Sequence, residues 1–170
     1  MKIRNETSQD IEDITKVNDD AFAQTNEGKL ILTLRESSDF DCRLSFVAED
    51  ESGVVGHLLL SPILIINENS YTSSLALAPM SVKPHKQKQG VGSALIKHAI
   101  DIAKNLKHKS IIVLGHPEFY TKFGFRPASF WGIHCPFKVP DEVFMALELE
   151  ENSLSKTSGV VQYPKAFNDV

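Results

Sequence analysis

Gln87-Lys88-Gln89-Gly90-Val91-Gly92 decides how this chain is read. An apolar run over residues 75–82 precedes it and a helical pattern follows, so the segment joins a strand to a helix start. Glycine lets successive backbone N–H groups turn toward one point, with no Cβ in the way. The first turn of the helix adds unpaired N–H groups and a partial positive charge. Lys83, His85, Lys86 and Lys88 make the stretch basic in a chain whose formal net charge is -4. Strand, basic glycine loop and helix start together form an anion cradle suited to a pyrophosphate. For two glycines taken alone, a plain turn capping a helix is the alternative.

Two common phosphate cradles do not fit. A Walker loop needs four residues between its glycines and then Gly-Lys-Ser/Thr, which is absent. The dinucleotide fingerprint G-x-G-x-x-G fails at its third glycine, because Leu95 stands there. It also wants an acidic residue after the next strand, and Leu114 is followed by Gly115.

At 170 residues the chain fits one domain with one sizeable core. The expected organisation is a domain over 1–150, with 151–170 as an extension packing on it. Hydrophobic residues at 42% and charged residues at 24% are ordinary for a globular protein. The first six residues carry no apolar signal core, and the apolar stretches are too short to span a bilayer. A cytoplasmic location without membrane contact is expected. The acidic balance argues against nucleic acid as a partner. Cys42 and Cys135 have no metal-ligand spacing, so no metal is expected and both read as reduced thiols.

Along the chain, residues 2–4 read as a strand. Ile11, Ile14, Val17 and Phe22 follow at helical spacing, and a second helix covers 27–36 with Leu30, Ile31 and Leu34 as its stripe. Strands over 44–48, 54–66 and 73–82 suggest an antiparallel meander, with Pro62 marking a bulge or an edge. After Gly90, Val91, Leu95, Ala99, Ile102, Ala103 and Leu106 share one helix face. A buried strand over 110–114 then completes a strand–helix–strand crossover, which predicts parallel pairing with the strand before the helix. Pro117 and Gly124 bracket a short helix in which Phe119 and Phe123 are expected to face the core. A late strand covers 143–150, and 160–164 packs back or adds an edge strand.

The Q-x-x-G-x-G turn, preceded by Leu77-Ala78-Pro79-Met80-Ser81-Val82, resembles the acetyl-CoA site of the GCN5-related N-acetyltransferases. Val113-Leu114-Gly115-His116-Pro117-Glu118-Phe119-Tyr120-Thr121-Lys122-Phe123-Gly124-Phe125 is similar to that family's second block, ending in Tyr-x-x-Phe-Gly-Phe. More narrowly, this block resembles the bacterial YhbS-like predicted acetyltransferases, although His116 stands where many relatives carry Asp. The resemblance implies an α+β fold, with a mostly antiparallel central sheet flanked by helices and strands splayed at the cofactor site. It implies acetyl-CoA as co-substrate, with pantetheine along Met80, Ser81 and Val82 by strand addition. Gln87, Lys88, Gln89, Gly90, Val91, Gly92 and Ser93 would hold the pyrophosphate, and Lys83 or Lys86 the ribose phosphate.

It further implies direct acetyl transfer to a primary amine within a ternary complex, the acceptor being a small molecule or a peptide. Tyr120 is the candidate general acid, a phenol with an ordinary pKa near ~10; a half-buried core aromatic is its alternative. Glu27, Glu118, Asp141, Glu142, His57, His116 and a water chain all stay open as the base. Phe40, Phe130, Trp131 and Phe137 are candidates for an apolar acceptor wall or for core. A catalytically silent CoA-binding sensor or assembly module is the alternative function, and a nucleotide-binding module of another fold is a third. The C-terminal segment is a candidate homodimer contact.

Overall fold

In the computed structural model, residues 1–169 are described; Val170, the end of the expected C-terminal extension, lies outside them. The elements are β1 (Lys2–Asn5), α1 (Ile11–Phe22), α2 (Asn26–Glu36), β2 (Ser45–Asp50), β3 (Gly53–Ile66), β4 (Tyr71–Val82), α3 (Val91–Asn105) and β5 (Ser110–Leu114). After these come α4 (Pro117–Tyr120), β6 (Arg126–Pro127), β7 (Ile133–His134), β8 (Phe144–Glu148) and β9 (Gly159–Gln162). The strands join one mixed sheet in the order β1-β2-β3-β4-β5-β8-β6, with β9 pairing β3 and β7. No helix among the described residues is long and apolar enough to cross a membrane.

By its internal contacts the chain divides into two compact units. The first holds Met1–Ser61, Ala78–Ile102 and, among the described residues of the C-terminus, 165–169. Here β1, β2 and the first part of β3 form an antiparallel ladder, with Val47 opposite His57 and a bulge at Ala48/Glu49. The apolar stripes of α1 and α2 cover it. Ile14, Val17, Ile31, Val47 and Val54 form one buried cluster, and Leu30, Leu34 and Leu59 another.

The second unit holds Pro62–Leu77 and Ala103–Pro164. Leu75 and Ala76 of β4 pair in parallel with Ile111 and Ile112 of β5, as the crossover predicts. β5 and β6 both run antiparallel to β8. β9 lies antiparallel to β3, with Val161 opposite Ile65, and parallel to β7, with Val160 opposite His134. Val160 therefore has a neighbour on both sides, while Val161 and Gln162 pair with β3 alone and Gly159 with β7 alone. Of the bulge or edge expected at Pro62, the edge fits: Pro62 falls between the part of β3 paired with β2, which ends at Leu59, and the part paired with β9, which begins at Leu64. Its missing N–H costs no ladder bond in that gap.

A polar network is buried in the first unit. The Asn18 amide lies 3.3 Å from His57 Nδ1, and Ser45 Oγ lies 3.0 Å from His57 Nε2. The amide can only donate, which assigns the neutral tautomer with Nε2 protonated. Arg35 of α2 makes a two-pronged ion pair with buried Glu6, one arm at 2.8 Å. His57 is fully buried, and burial first, then the Arg35 charge, lowers its pKa to about 3. The sign follows. An unfolded histidine protonates near about 6.5, whereas the folded one stays neutral, so this contribution is present above about 6.5 and fades as pH falls toward 3. Unfolding free energy measured by urea titration is expected to drop by up to roughly 1.4 kcal/mol per pH unit from this group below about 6.5. In His57→Gln that dependence is expected to be shallower by up to one proton; an unchanged slope would refute the assignment.

Candidate active site

The end of β4 leads into the glycine loop. Met80 and Val82 are half-buried and Ser81 is buried, its hydroxyl without a hydrogen-bond partner among the described residues. The Lys83 N–H donates to the Val55 carbonyl at 2.9 Å, which ties the strand end to β3. One turn of 3-10 helix over Pro84–Lys86 follows. Lys86 Nζ lies 2.8 Å from Asp50 Oδ2, and this bond holds the Asp50 carboxyl far below the usual carboxylate range. Lys86, one of the two candidates for the ribose phosphate, is thus paired with a carboxylate in this structure. The Gln87 side-chain amide donates to the Val82 carbonyl at 3.1 Å, and that of Gln89 to the His85 carbonyl at 2.9 Å. Both glutamines brace the loop with their side chains. Only their main chain is left to face an anion.

Lys88 (φ 61°) and Gly90 (φ 89°) both occupy the left-handed region, on either side of Gln89. This alternation turns backbone amides toward a common concave side, the form of an anion nest. The sequence pointed to glycine for that conformation and missed that Lys88 shares it. The Gly90 carbonyl accepts from the Ala94 N–H at 3.0 Å, which makes Gly90 the cap of α3. The N–H groups of Val91, Gly92 and Ser93 precede the first helical bond and have no acceptor within the helix. A 15-residue helix adds its dipole at this end. A Cβ at Gly90 would meet nothing within 4 Å, so the hollow is open. These features fit a diphosphate.

One residue that the sequence reading passed over sets this geometry. A Cβ at Gly56 of β3 would lie 2.9 Å from Val91 Cγ1, 3.1 Å from Leu95 Cδ1 and 3.2 Å from the Ser81 carbonyl oxygen. The start of α3 thus sits on a strand position with no side chain. A lone glycine inside the apolar run 54–66 was the available signal.

In the second unit, the β4–β5 ladder ends at Ala76 and Ile112, while β5 continues to Leu114. Past it, the His116 carbonyl accepts from the N–H groups of both Phe119 and Tyr120 at 3.1 Å, which starts α4. Tyr120 is only 7% exposed, and burial pushes its phenol up to about 12. Its ring stands edge-on to Phe119 and Phe125, with centroids 5.1 and 5.5 Å away. This reverses the expected orientation: Tyr120 and Phe125 are buried, and Phe119 and Phe123 are half-buried. α4 is a single turn continued by 3-10 helix to Phe123, too short for α-helical periodicity to select a face.

Among the candidate bases, His57 is a core residue with both ring nitrogens engaged. Glu27 accepts from the Gln24 amide at 2.9 Å, and Asp141 from the Ser129 hydroxyl at 3.0 Å. Glu118, Glu142 and His116 are exposed or half-buried. Of the aromatic wall, Phe130 lies edge-on to Trp131 and under the Arg126 guanidinium at 3.7 Å. Phe137 stacks on Tyr163 at 6.0 Å. Phe40 packs against the Leu30–Leu34–Leu59 cluster with Arg35 over its ring, which makes it core.

Residues 41–127, which span the loop and Tyr120, match the family model described as an acetyltransferase (GNAT) domain. The chain belongs to the GNAT acetyltransferase family. It is 33% identical over 134 residues to the uncharacterised N-acetyltransferase YjhQ of Escherichia coli K12, covering 78% of this chain and 74% of that one. It is 28% identical over 149 residues to the uncharacterised N-acetyltransferase YhbS of the same organism, covering 87% of each. The crystal structure of E. coli YhbS in complex with CoA superposes with a TM-score of 0.90 at 27% identity, covering 98% of this chain and 91% of that one. A GNAT-family acetyltransferase from Brucella melitensis in complex with acetyl-CoA gives 0.78 at 29% identity, covering 98% and 97%. The GNAT fold accounts for the α+β architecture and the mixed sheet.

In this GNAT chain, Gly56→Val should overfill the contact between β3 and α3. A loss of about 1–3 kcal/mol in chemical denaturation is expected. An unchanged midpoint would mean that α3 does not bear on position 56.

Proposed function

We propose that this GNAT-family chain moves the acetyl group of acetyl-CoA to a primary amine by direct transfer in a ternary complex. The observation that carries the reading is the basic loop whose left-handed residues 88 and 90 lead into three amides unbonded within α3. The coenzyme-bound crystal structures of YhbS and of the Brucella enzyme support it. In this reading the main chain of residues 87–93 holds the pyrophosphate, with Lys88 and Lys83 as the cations near it. The backbone of Met80, Ser81 and Val82 receives the pantetheine arm. The Val82 carbonyl already accepts from Gln87, so N–H groups and the Met80 carbonyl carry that role.

Acetyl-CoA, when bound, supplies an acetyl thioester activated toward an amine. Tyr120 holds a proton at Oη for the sulfur and stays neutral throughout the physiological range. No nucleophile from the protein is needed. Burial pushes the Cys135 thiol up, away from thiolate chemistry. A water chain or one of the solvent-accessible carboxylates takes the proton that the amine sheds.

Acetyl-CoA is expected to raise the melting temperature where ATP and NAD do not. Gly90→Asp puts a carboxylate and a strained backbone into the cradle, and should abolish that rise. A full rise in Gly90→Asp would remove the loop from the site. Tyr120→Phe should retain CoA affinity by calorimetry and lose about 10²–10⁴ in turnover with an amine found by a thiol-release panel. Unimpaired turnover would remove Tyr120 from the chemistry.

A further inference from the structure

We propose that Gly115 is the positioning residue for Tyr120, an inference that rests on the reading of Tyr120 as the proton-holding group. An ideal Cβ at Gly115 would lie 2.3 Å from Tyr120 Cε2, 3.0 Å from Cδ2 and 3.3 Å from Cζ. The position is not in the left-handed region, so the backbone conformation there suits any residue and space alone demands glycine. The chain leaves β5, passes Gly115 and Pro117, and folds the Tyr120 ring back over the glycine it has just passed.

Neither side of this contact can give way easily. The Gly115 N–H is bonded to the Val143 carbonyl at 2.9 Å, which fixes the floor of the notch. The Tyr120 N–H is bonded to the His116 carbonyl at 3.1 Å, which fixes the root of the side chain. Phe119 and Phe125 stand edge-on to the ring. To reach an ordinary contact near 3.4 Å, a methyl at 115 must push the ring edge by about 1 Å. The ring then turns about its own torsions and carries Oη with it. A displacement of about 1 Å at a reacting group is enough to cost roughly hundredfold in rate. Gly115 touches no reacting atom and acts only through the tyrosine.

The test compares Gly115→Ala, Tyr120→Phe and the double variant. With acetyl-CoA and the amine from the panel, Gly115→Ala is expected to lower kcat by roughly hundredfold and to leave KM for acetyl-CoA within a small factor. In the Tyr120→Phe background the same change should do nothing further, since the ring that moves no longer carries the hydroxyl. A structural readout runs beside it. A crystal structure of Gly115→Ala is expected to show the Tyr120 ring edge shifted by about 1 Å and Oη carried with it. Wild-type kcat in Gly115→Ala while Tyr120→Phe is impaired overturns the positioning role and spares the role of Tyr120. Wild-type kcat in Tyr120→Phe overturns both. A ring and hydroxyl left in place in Gly115→Ala also overturn the displacement. Should Gly115→Ala fold poorly, Tyr120→Ala is added to it. The double variant then melts no lower than Tyr120→Ala alone if the ring is what the methyl strikes, and a lower melting temperature overturns the proposal.

Discussion

The start of α3 rests directly on strand backbone at Gly56, and the geometry of the proposed anion cradle depends on that contact. A helix end attracts an anion only where its free amides stand, because its partial charge decays within a turn. Placing those amides therefore matters more than adding cations. Here the placement comes from several short-range constraints acting together. Val91 and Leu95 meet β3 where it has no side chain, Lys83 is bonded back to Val55, and Lys86 is paired to Asp50. Gln87 and Gln89 close the loop on its own carbonyls. Gln87, Gln89 and Lys86 look like ligands in the sequence and act here as struts, which in the proposed reading leaves the main chain with Lys83 and Lys88 for the anion. In the proposed reading such bracing lowers the ordering entropy lost when an anion binds.

The buried polar groups of the first unit have a different role. Glu6, Arg35, His57, Ser45 and Asn18 connect the end of β1, α2, β3, β2 and α1. Ion pairs taken out of water recover little net free energy, because desolvation offsets their attraction. Their directional bonds do distinguish one seating of the two helices from its neighbours. Apolar stripes such as Leu30–Ile31–Leu34 would tolerate a small slide; a two-pronged Arg35–Glu6 pair would not.

Legibility from the sequence followed the distance between interacting residues. The glycine loop, α3 and the parallel β4–β5 pairing were readable because loop composition, a 3.6-residue period and crossover handedness are local or topological. Gly56 and Gly115 went unrecognised because the atoms that demand them, on Val91 and on the Tyr120 ring, are brought close only by folding. The orientation of Tyr120 was inverted because periodicity has no purchase on a one-turn helix. The two partners of β9, β3 and β7, were equally hidden: a four-residue strand carries too little pattern to name them.

The burial of Tyr120 limits what its hydroxyl does in the proposed reaction. A phenol near 12 stays protonated at neutral pH, so the donor is always present. Burial raises the phenol above a thiol's ordinary pKa near ~8.5, so surrendering that proton fully to the departing thiolate runs uphill. A hydrogen bond from Oη to the sulfur as charge develops asks for no such transfer and gains strength in a site shielded from water. The proton that ends on sulfur is then balanced by the one the amine releases. On this account the tyrosine contributes through where its hydroxyl stands more than through how acidic it is, which is why a missing methyl group at Gly115 belongs to the chemistry.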